Sequence, residues 1–309
     1  MRRGNAVAPT ATCAMARVML YQPSQRPTWR TGDWVETAHG RCRVSGRLGQ
    51  RHADLVESLL YCAERRRDLA DGGVELLVDP ARVRKTVSDS RYSYAQLERL
   101  LAELRAATIA IESPQFDFPL IGGLIDHVIP SPMTRENPLG GGTRHLWKVR
   151  IGVALVLLLQ HDLILHYDPA PICRLRHGVS QAVARHILTH ATTPTGGWYV
   201  DTVIAAVSGS ISGQRLRDSR RRLREDAGGL SALGVHLHGE RVSRGVAHPP
   251  DGVAQTPGGV AHPPDMWHTR PELAGYTGYT DPARHRPRLV GARAGLAATA
   301  PSIMQGAER

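Results

Sequence analysis

Lysine is almost missing from this chain: only Lys85 and Lys148 occur, and arginine supplies the rest of the 39 basic residues. A GC-rich genome produces the same skew, so where the arginines cluster says more than how many there are. Cysteine is scarce as well. Cys13, Cys42, Cys62 and Cys173 are widely spaced with no CxxC pair, which argues against a zinc ribbon and against a disulfide framework in a chain this long. All four are read as reduced and structural. The longest apolar run, Val153 to Leu159, stops at Gln160, His161 and Asp162, far short of the roughly 20 residues that a transmembrane helix needs. The start, MRRG, leads into a stretch broken by Pro9, Thr10, Thr12 and Arg17, which is not the pattern of a signal peptide. The glycines at 140–142 lack the Gly-Lys-Ser/Thr ending of a P-loop, so no bound ATP is expected. The expectation is a cytoplasmic protein without membrane association, cofactor or metal.

What is present points to an anionic partner. With 309 residues and 41% hydrophobic content, the chain can build real cores and two modest domains. A net charge of +11 and a pI near 10.1 favour nucleic acid once a membrane span is set aside.

Residues 1–45 read as a flexible arm rich in Pro, Thr and Arg, with a short strand near Arg41 to Val44. From Arg51 onward, RHADLVESLLYCAERRR has helical spacing at Leu55, Leu59, Cys62 and Arg66, and VELLVD is strand-like. Asp79-Pro80 is a helix start for ARVRKTV, and Ser93 with Gln96 forms a capping box ahead of YAQLERLLAELRAA, whose Leu97, Leu100, Leu101 and Leu104 share a face. Three strands are expected next, in TIAIES, LIGGLIDHVI and RHLWKVRIGV, the last two parted by a Pro/Gly-rich turn from Pro130 to Gly142. The order helix, strand, helix, helix, strand, strand is that of a winged helix.

The order then repeats. After Asp168-Pro169, PICRLRHGVSQAVARHILTH is expected as one helix, GWYV as a strand, and DTVIAAVS as a helix capped by Asp201. An arginine helix and the strand VHLHGERVSR follow. The expected fold is α+β with two tandem winged-helix domains, at 46–167 and 168–244. Residues 245–309, which contain GVAHPPD GVAQTPG GVAHPPD, are expected to form a disordered tail, because such composition buries too little surface to fold.

The second domain carries the densest charge. Ser212 to Asp226 holds six arginines against one acid before closing on Glu225 and Asp226. At about 100 degrees per residue, Leu216, Leu223 and Ala227 share one face, with Ser212 and Arg220 at its edges. Gln214, Arg217, Asp218 and Arg221 project opposite, with Arg224 beside them. Gln and Arg near the start of a helix match how recognition helices meet base edges. Gln214, Arg217 and Arg221 are therefore assigned to base edges, and Arg215, Arg220, Arg222, Arg224, Arg241 and Arg244 to phosphates. The third helix of the first domain is nearly balanced in charge, which suits protein contact or lighter DNA contact through Arg135, Arg144, Lys148 and Arg150.

Two other chemistries compete. His236-Leu237-His238 fits the His-hydrophobic-His pattern with which rolling-circle initiators hold a divalent metal beside a nicking tyrosine, with Tyr276 and Tyr279 as candidates. His186 and His190 are four apart on a helix but lack the Glu of a metalloprotease signature and show no further ligands in the sequence; they are read as helix-surface residues. A winged-helix transcription repressor is the other alternative, since fold does not fix function.

In their order along the chain, GRLGQRHADLVESLL, YSYAQLERLLAELRAATI, YDPAPICRLRHGVSQAVARHILTH and the arginine helix with its following strand resemble plasmid replication initiator proteins of the iteron-binding, IncW and IncP-like type. The resemblance covers about residues 45 to 244. It implies a non-enzymatic protein that binds repeated iterons in double-stranded origin DNA, promotes melting, recruits host helicase and other replication proteins, and exchanges between monomer and homodimer. It would place the major-groove helix on Gln214 to Arg224 and the wing on Val235 to Arg244. It does not account for the tail.

Overall fold

The computed structural model describes residues 9–88, 92–136 and 141–245, all within one compact unit. The first half runs β1 (Ala11–Thr12), α1 (Cys13–Arg17), β2 (Arg30–Thr37), β3 (Gly40–Gly46), α2 (Gln50–Tyr61), β4 (Ala63–Asp68), β5 (Val74–Val78) and α3 (Pro80–Val87). It continues with α4 (Tyr94–Ala106), β6 (Thr108–Glu112), β7 (Leu120–Gly122), β8 (Ile125–Glu136), β9 (Thr143–Ile151), α5 (Val153–His161) and β10 (Ile164–Leu165). The second half is α6 (Ala170–Cys173), α7 (Gly178–Leu188), β11 (Trp198–Tyr199), α8 (Val200–Ser208), α9 (Gly213–Glu225), α10 (Ala227–Ala232), β12 (Val235–His238) and β13 (Arg241–Arg244).

The class is mixed α+β with small antiparallel sheets. Their strand orders are β4-β5-β9-β8, β2-β3-β6-β7, β11-β13-β12 and β1-β10. In each half a helix, strand, helix, helix and two strands succeed one another, α2-β5-α3-α4-β8-β9 and α7-β11-α8-α9-β12-β13. In both sheets the last of these strands lies between the first and the second, as β5-β9-β8 and β11-β13-β12. The first half adds β4 at one edge and inserts β6 and β7 after α4, and the second inserts the short α10 before β12.

Two hydrophobic cores match the two halves. One gathers Leu55 and Leu59 of α2, Val83 and Val87 of α3, Leu97 and Leu104 of α4, Val78 and Val149; the other gathers Val183 and Ile187 of α7, Val203, Ile204 and Val207 of α8, Leu223, Leu230 and Val242. Each buried Leu, Ile or Val stabilises by about 1.5–3 kcal/mol. Start signals hold α3 and α4 where the sequence places them. The Asp79 carboxylate accepts from the Ala81 amide at 2.9 Å, and Ser93 and Gln96 exchange both bonds of a capping box.

Several expectations are corrected. The arm is folded from residue 10 onward: Val18, Leu20 and Tyr21 are buried in the first core beside Cys42 and Val44. The β2–β3 turn closes at Gly40, where φ is +125° and a Cβ would strike the Glu112 carbonyl. Residues 63–68 are not the end of a helix, because β4 pairs with β5 as a hairpin. LIGGLIDHVI splits at Gly123 into β7 and β8, which belong to different sheets, and the chain after Gly152 turns into α5. The single helix expected from 171 to 190 is broken between α6 and α7. Asp201 lies inside α8, whose N-cap is Tyr199. The expected tail, apart from Gly245, lies outside the described residues, as do Tyr276, Tyr279 and part of the turn expected at 130–142.

The two halves are locked together. Arg185 of α7, 4% exposed, meets Asp54 and Glu57 of α2, at 0% and 2%. Its guanidinium donates to Glu57 at 2.7 and 2.9 Å, to Asp54 at 2.7 Å and to the Gln50 side-chain carbonyl at 2.7 Å. Gln181 adds a donor to Asp54 at 3.1 Å, and Arg51 another at 3.2 Å. Burial raises the Glu57 carboxyl above its usual range despite the opposing pull of Arg185. The N-terminal segment bonds to the end of the first half and, through Gln25, crosses the seam to the second. Thr10 donates to the Tyr167 carbonyl at 2.7 Å, the Ala14 amide donates to Asp162 at 2.6 Å, and Gln25 donates to the Arg176 carbonyl at 3.1 Å.

Candidate nucleic-acid interface

The arginine helix α9 is held from beneath and from both ends. Leu223 is buried and Leu216 packs against the second core, so the opposite side turns to solvent, as the helical phase requires. Its entry needs a glycine: Gly213 sits at φ +57°, a backbone conformation that costs other residues strain. At its exit the buried Asp226 carboxylate accepts from the Arg176 and His177 amides at 3.0 Å each, and Glu225 binds His177 at 2.6 Å. The two acids that close the basic run therefore tie α9 to the start of α7. Ala227, expected on the apolar face of this helix, belongs to α10 instead.

Gln214, Arg215, Arg217, Arg221, Arg222 and Arg224 are exposed along the outer face of α9. The three residues assigned to base edges form a chain of contacts through Asp218. Arg217 donates to the Gln214 side-chain carbonyl at 3.0 and 3.2 Å, the Gln214 amide donates to Asp218 at 3.0 Å, and Arg221 pairs with Glu225 at 2.8 Å and Asp218 at 3.6 Å. Arg215, Arg222 and Arg224 have no carboxylate in contact among the described residues. Their charges are open to a polyanion.

The other three assigned cations are engaged inside the protein. Arg220 grips Asp201 of α8 through two nitrogens, one at 2.6 Å, and this hydrogen bonding holds the Asp201 carboxyl below its ordinary range. Arg241 stacks 3.4 Å from the centre of the Tyr199 ring and donates to the Gly197 carbonyl at 3.2 Å. Arg244 donates to the His190 carbonyl and, at 3.4 Å, to that of Leu188, capping the negative end of α7. These three brace α8, β11 and α7 around α9. The β12–β13 hairpin turns at Gly239 and Glu240.

In the first half three of the four corresponding cations are paired with carboxylates, and Lys148 is not. Arg135 pairs with Glu64 at 2.7 Å, Arg144 with Asp79 at 2.6 Å, and Arg150 with Asp71 and, at 3.3 Å, with Asp126. Sequence spacing missed these pairs because their carboxylates lie on other strands and turns. On β12, His236 and His238 lie on the outward face with ring centres 6.2 Å apart, and His236 contacts Ser231 at 3.1 Å. Among the described residues no group of three or more His, Cys, Asp or Glu is placed to hold a metal. No helix among them is long and apolar enough to cross a membrane.

No protein family matches the chain. Nor does any curated protein or solved structure.

Proposed function

We propose that this chain is a sequence-specific double-stranded DNA-binding protein built of two tandem winged-helix modules, and that it initiates plasmid replication without being an enzyme. The observation that carries the reading is the outer face of α9: one glutamine and five arginines exposed together on a helix anchored by Leu216, Leu223 and Asp226. In this reading Gln214, Arg217 and Arg221 reach base edges, each good bidentate contact supplying about 1–3 kcal/mol of discrimination. Arg215, Arg222 and Arg224 meet phosphates. Arg220, Arg241 and Arg244 act by holding the helix and wing in position, a role their internal partners favour over direct phosphate contact. The paired cations of the first half favour protein contact there, either with a second copy or with host helicase and other replication proteins.

The resemblance to iteron-binding initiators supports directly repeated sites at a plasmid origin as the target. The test is binding of the purified protein to a labelled fragment of its own upstream DNA, with Mg²⁺ and Mn²⁺ lanes. The expected result is a ladder of shifts on direct repeats with both strands intact. A single shift on a palindrome would instead identify a repressor, a nicked strand joined to protein would identify a nuclease using His236 and His238, and no shift at all would end the DNA-binding reading.

A further inference from the structure

The sheet β2-β3-β6-β7 belongs to neither of the repeated helix–strand orders, and the reading of α9 leaves it unused. Cys42 and Val44 of β3, Ile109 and Ile111 of β6 and Leu120 of β7 face the first core. Side chains alternate along a strand, so the residues between them form the opposite, outward face. Cross-strand pairing puts Trp34 beside Arg43 and Thr31 beside Ser45. Arg43 and Ser45 in turn lie beside Ala110 and Thr108, and Ala110 beside Ile121. The period of two carries this face on to Trp29 and Arg47, both exposed just outside the strands.

Aromatic and cationic groups meet on this surface. The Arg41 and Arg43 guanidiniums lie 4.6 and 5.1 Å from the centre of the Trp34 ring, while Ile121 is 52% exposed and Trp29 60%. Between them the small side chains of Thr31, Ser45, Thr108 and Ala110 leave a hollow of about 250 Å³ rimmed by Arg43 and Ile121. Pockets that enclose a small molecule run to about 300–1,000 Å³, so this is a shallow seat. Arg41 is neutralised by Glu112 at 2.7 Å and Glu36 at 3.8 Å. Arg43 and Arg47 have no carboxylate in contact among the described residues, and their charges face outward uncompensated.

We infer that this face binds single-stranded DNA, with bases stacking on Trp34 and Trp29 and phosphates meeting Arg43 and Arg47. Stacking on an indole needs an unpaired base, because in a duplex the flat faces are covered by neighbouring bases; the surface therefore selects single strands over duplex. Arg43 and Arg47 are four residues apart, about 13 Å in extended chain, a span for the two or three bases that a four-stranded sheet can stack. Asp33, exposed in the bulge of β2, accepts from the Thr31 hydroxyl at 3.0 Å and has no cation in contact among the described residues, so it repels phosphates and bounds their track. The choice of DNA over RNA rests on the DNA-binding reading of the chain; the stacking chemistry does not.

The experiment is fluorescence anisotropy of labelled oligo(dT), and of oligo(U) of equal length, with the full chain, the upstream duplex serving as a second probe. The variants are Trp34→Ala, Trp34→Phe, Arg43→Ala/Arg47→Ala, Asp33→Asn and the α9 triple Arg215→Ala/Arg222→Ala/Arg224→Ala, each first compared with wild type by circular dichroism. The expected wild-type Kd for oligo(dT) is about 10 µM or tighter at about 0.1 M salt. Trp34→Ala and Arg43→Ala/Arg47→Ala should each weaken it by about fivefold or more, the low end of the loss of one stacked base, while leaving duplex binding unchanged. Trp34→Phe keeps an aromatic face and should retain oligo(dT) binding, and Asp33→Asn should tighten it. The α9 triple variant should lose the duplex and hold oligo(dT) to within about threefold. A wild-type Kd weaker than about 1 mM overturns the inference, as does equal oligo(dT) affinity in Trp34→Ala, or loss of oligo(dT) binding in the α9 variant. Tighter binding of oligo(U) by about tenfold overturns the choice of DNA. Failure of the α9 reading shows separately, as duplex binding that the triple variant does not change.

Discussion

Replacing Arg185 with Met probes the bond between the two halves most directly. The substitution keeps most of the volume but leaves the Asp54 and Glu57 carboxylates facing each other at almost no exposure. Removing one partner of a buried ion pair costs about 3–5 kcal/mol, a large part of the roughly 5–15 kcal/mol that holds a typical domain folded. The deficit carries a pH signature. Glu57 is already raised by burial, and without Arg185 its folded-state pKa rises further above the unfolded value near 4.3. Between those two values the folded variant binds more protons than the unfolded chain, so its stability falls as pH rises. Relative to wild type, the deficit should therefore be largest near pH 7.5 and should shrink towards pH 5. Urea unfolding of both proteins at the two pH values measures it. The triple variant Asp54→Asn/Glu57→Gln/Arg185→Met should recover more than half the loss, because no charge is then buried unpaired. A loss under about 1 kcal/mol at pH 7.5, below that range, or a deficit that does not shrink at pH 5, would refute the argument that these charges hold the seam.

Three further outcomes are expected. His186 is buried, not on the helix surface as its sequence position suggests, and has a folded pKa of about 4 against about 6.5 unfolded; its contribution is complete above pH 6.5 and is lost as pH falls towards 4, so the protein should lose about 2 kcal/mol between pH 7 and pH 5 from this group alone, and equal urea midpoints at the two values would contradict it. Arg217→Ala should relax base preference at one position by about 1–3 kcal/mol, whereas Arg224→Ala should weaken all sequences alike and reduce the salt slope by about one; a quantitative gel-shift series in rising salt separates them. Asp218→Asn frees Gln214 and Arg221 from the carboxylate that engages both, so affinity for random-sequence DNA should rise and discrimination fall, which competition with non-specific DNA reads.

Local signals carried much of the fold. The Asp79-Pro80 start, the Ser93–Gln96 box and the leucine phase of α4 each rest on contacts within a few residues, and each appears in the structure where the spacing puts it. The same holds for the exposed face of α9, which follows from Leu216 and Leu223. Long-range partners were not legible. Val18, Leu20 and Tyr21 look like scattered apolar residues in a Pro-rich arm until the α2 and β3 core closes over them. The six-residue stretch Ala63 to Asp68 has helical spacing, yet it becomes a strand because β5 offers it a ladder. Arg220, Arg241 and Arg244 look identical to Arg215 and Arg222 in the sequence; Asp201, Tyr199 and the end of α7 are what set them apart.

The pairing of the N-terminal segment with the seam also bears on how the chain is made. Thr10 bonds to a carbonyl 157 positions later, so at about 5–20 residues per second the ribosome takes roughly 8 to 30 s to deliver the partner after Thr10 has been synthesised. Through that interval Met15, Met19 and Tyr21 lack Ala182 and Arg185 of α7, beside which they lie in the folded chain. A nascent chain halted before residue 165 should therefore expose this apolar stretch to chaperones and proteases, and release to full length should hide it.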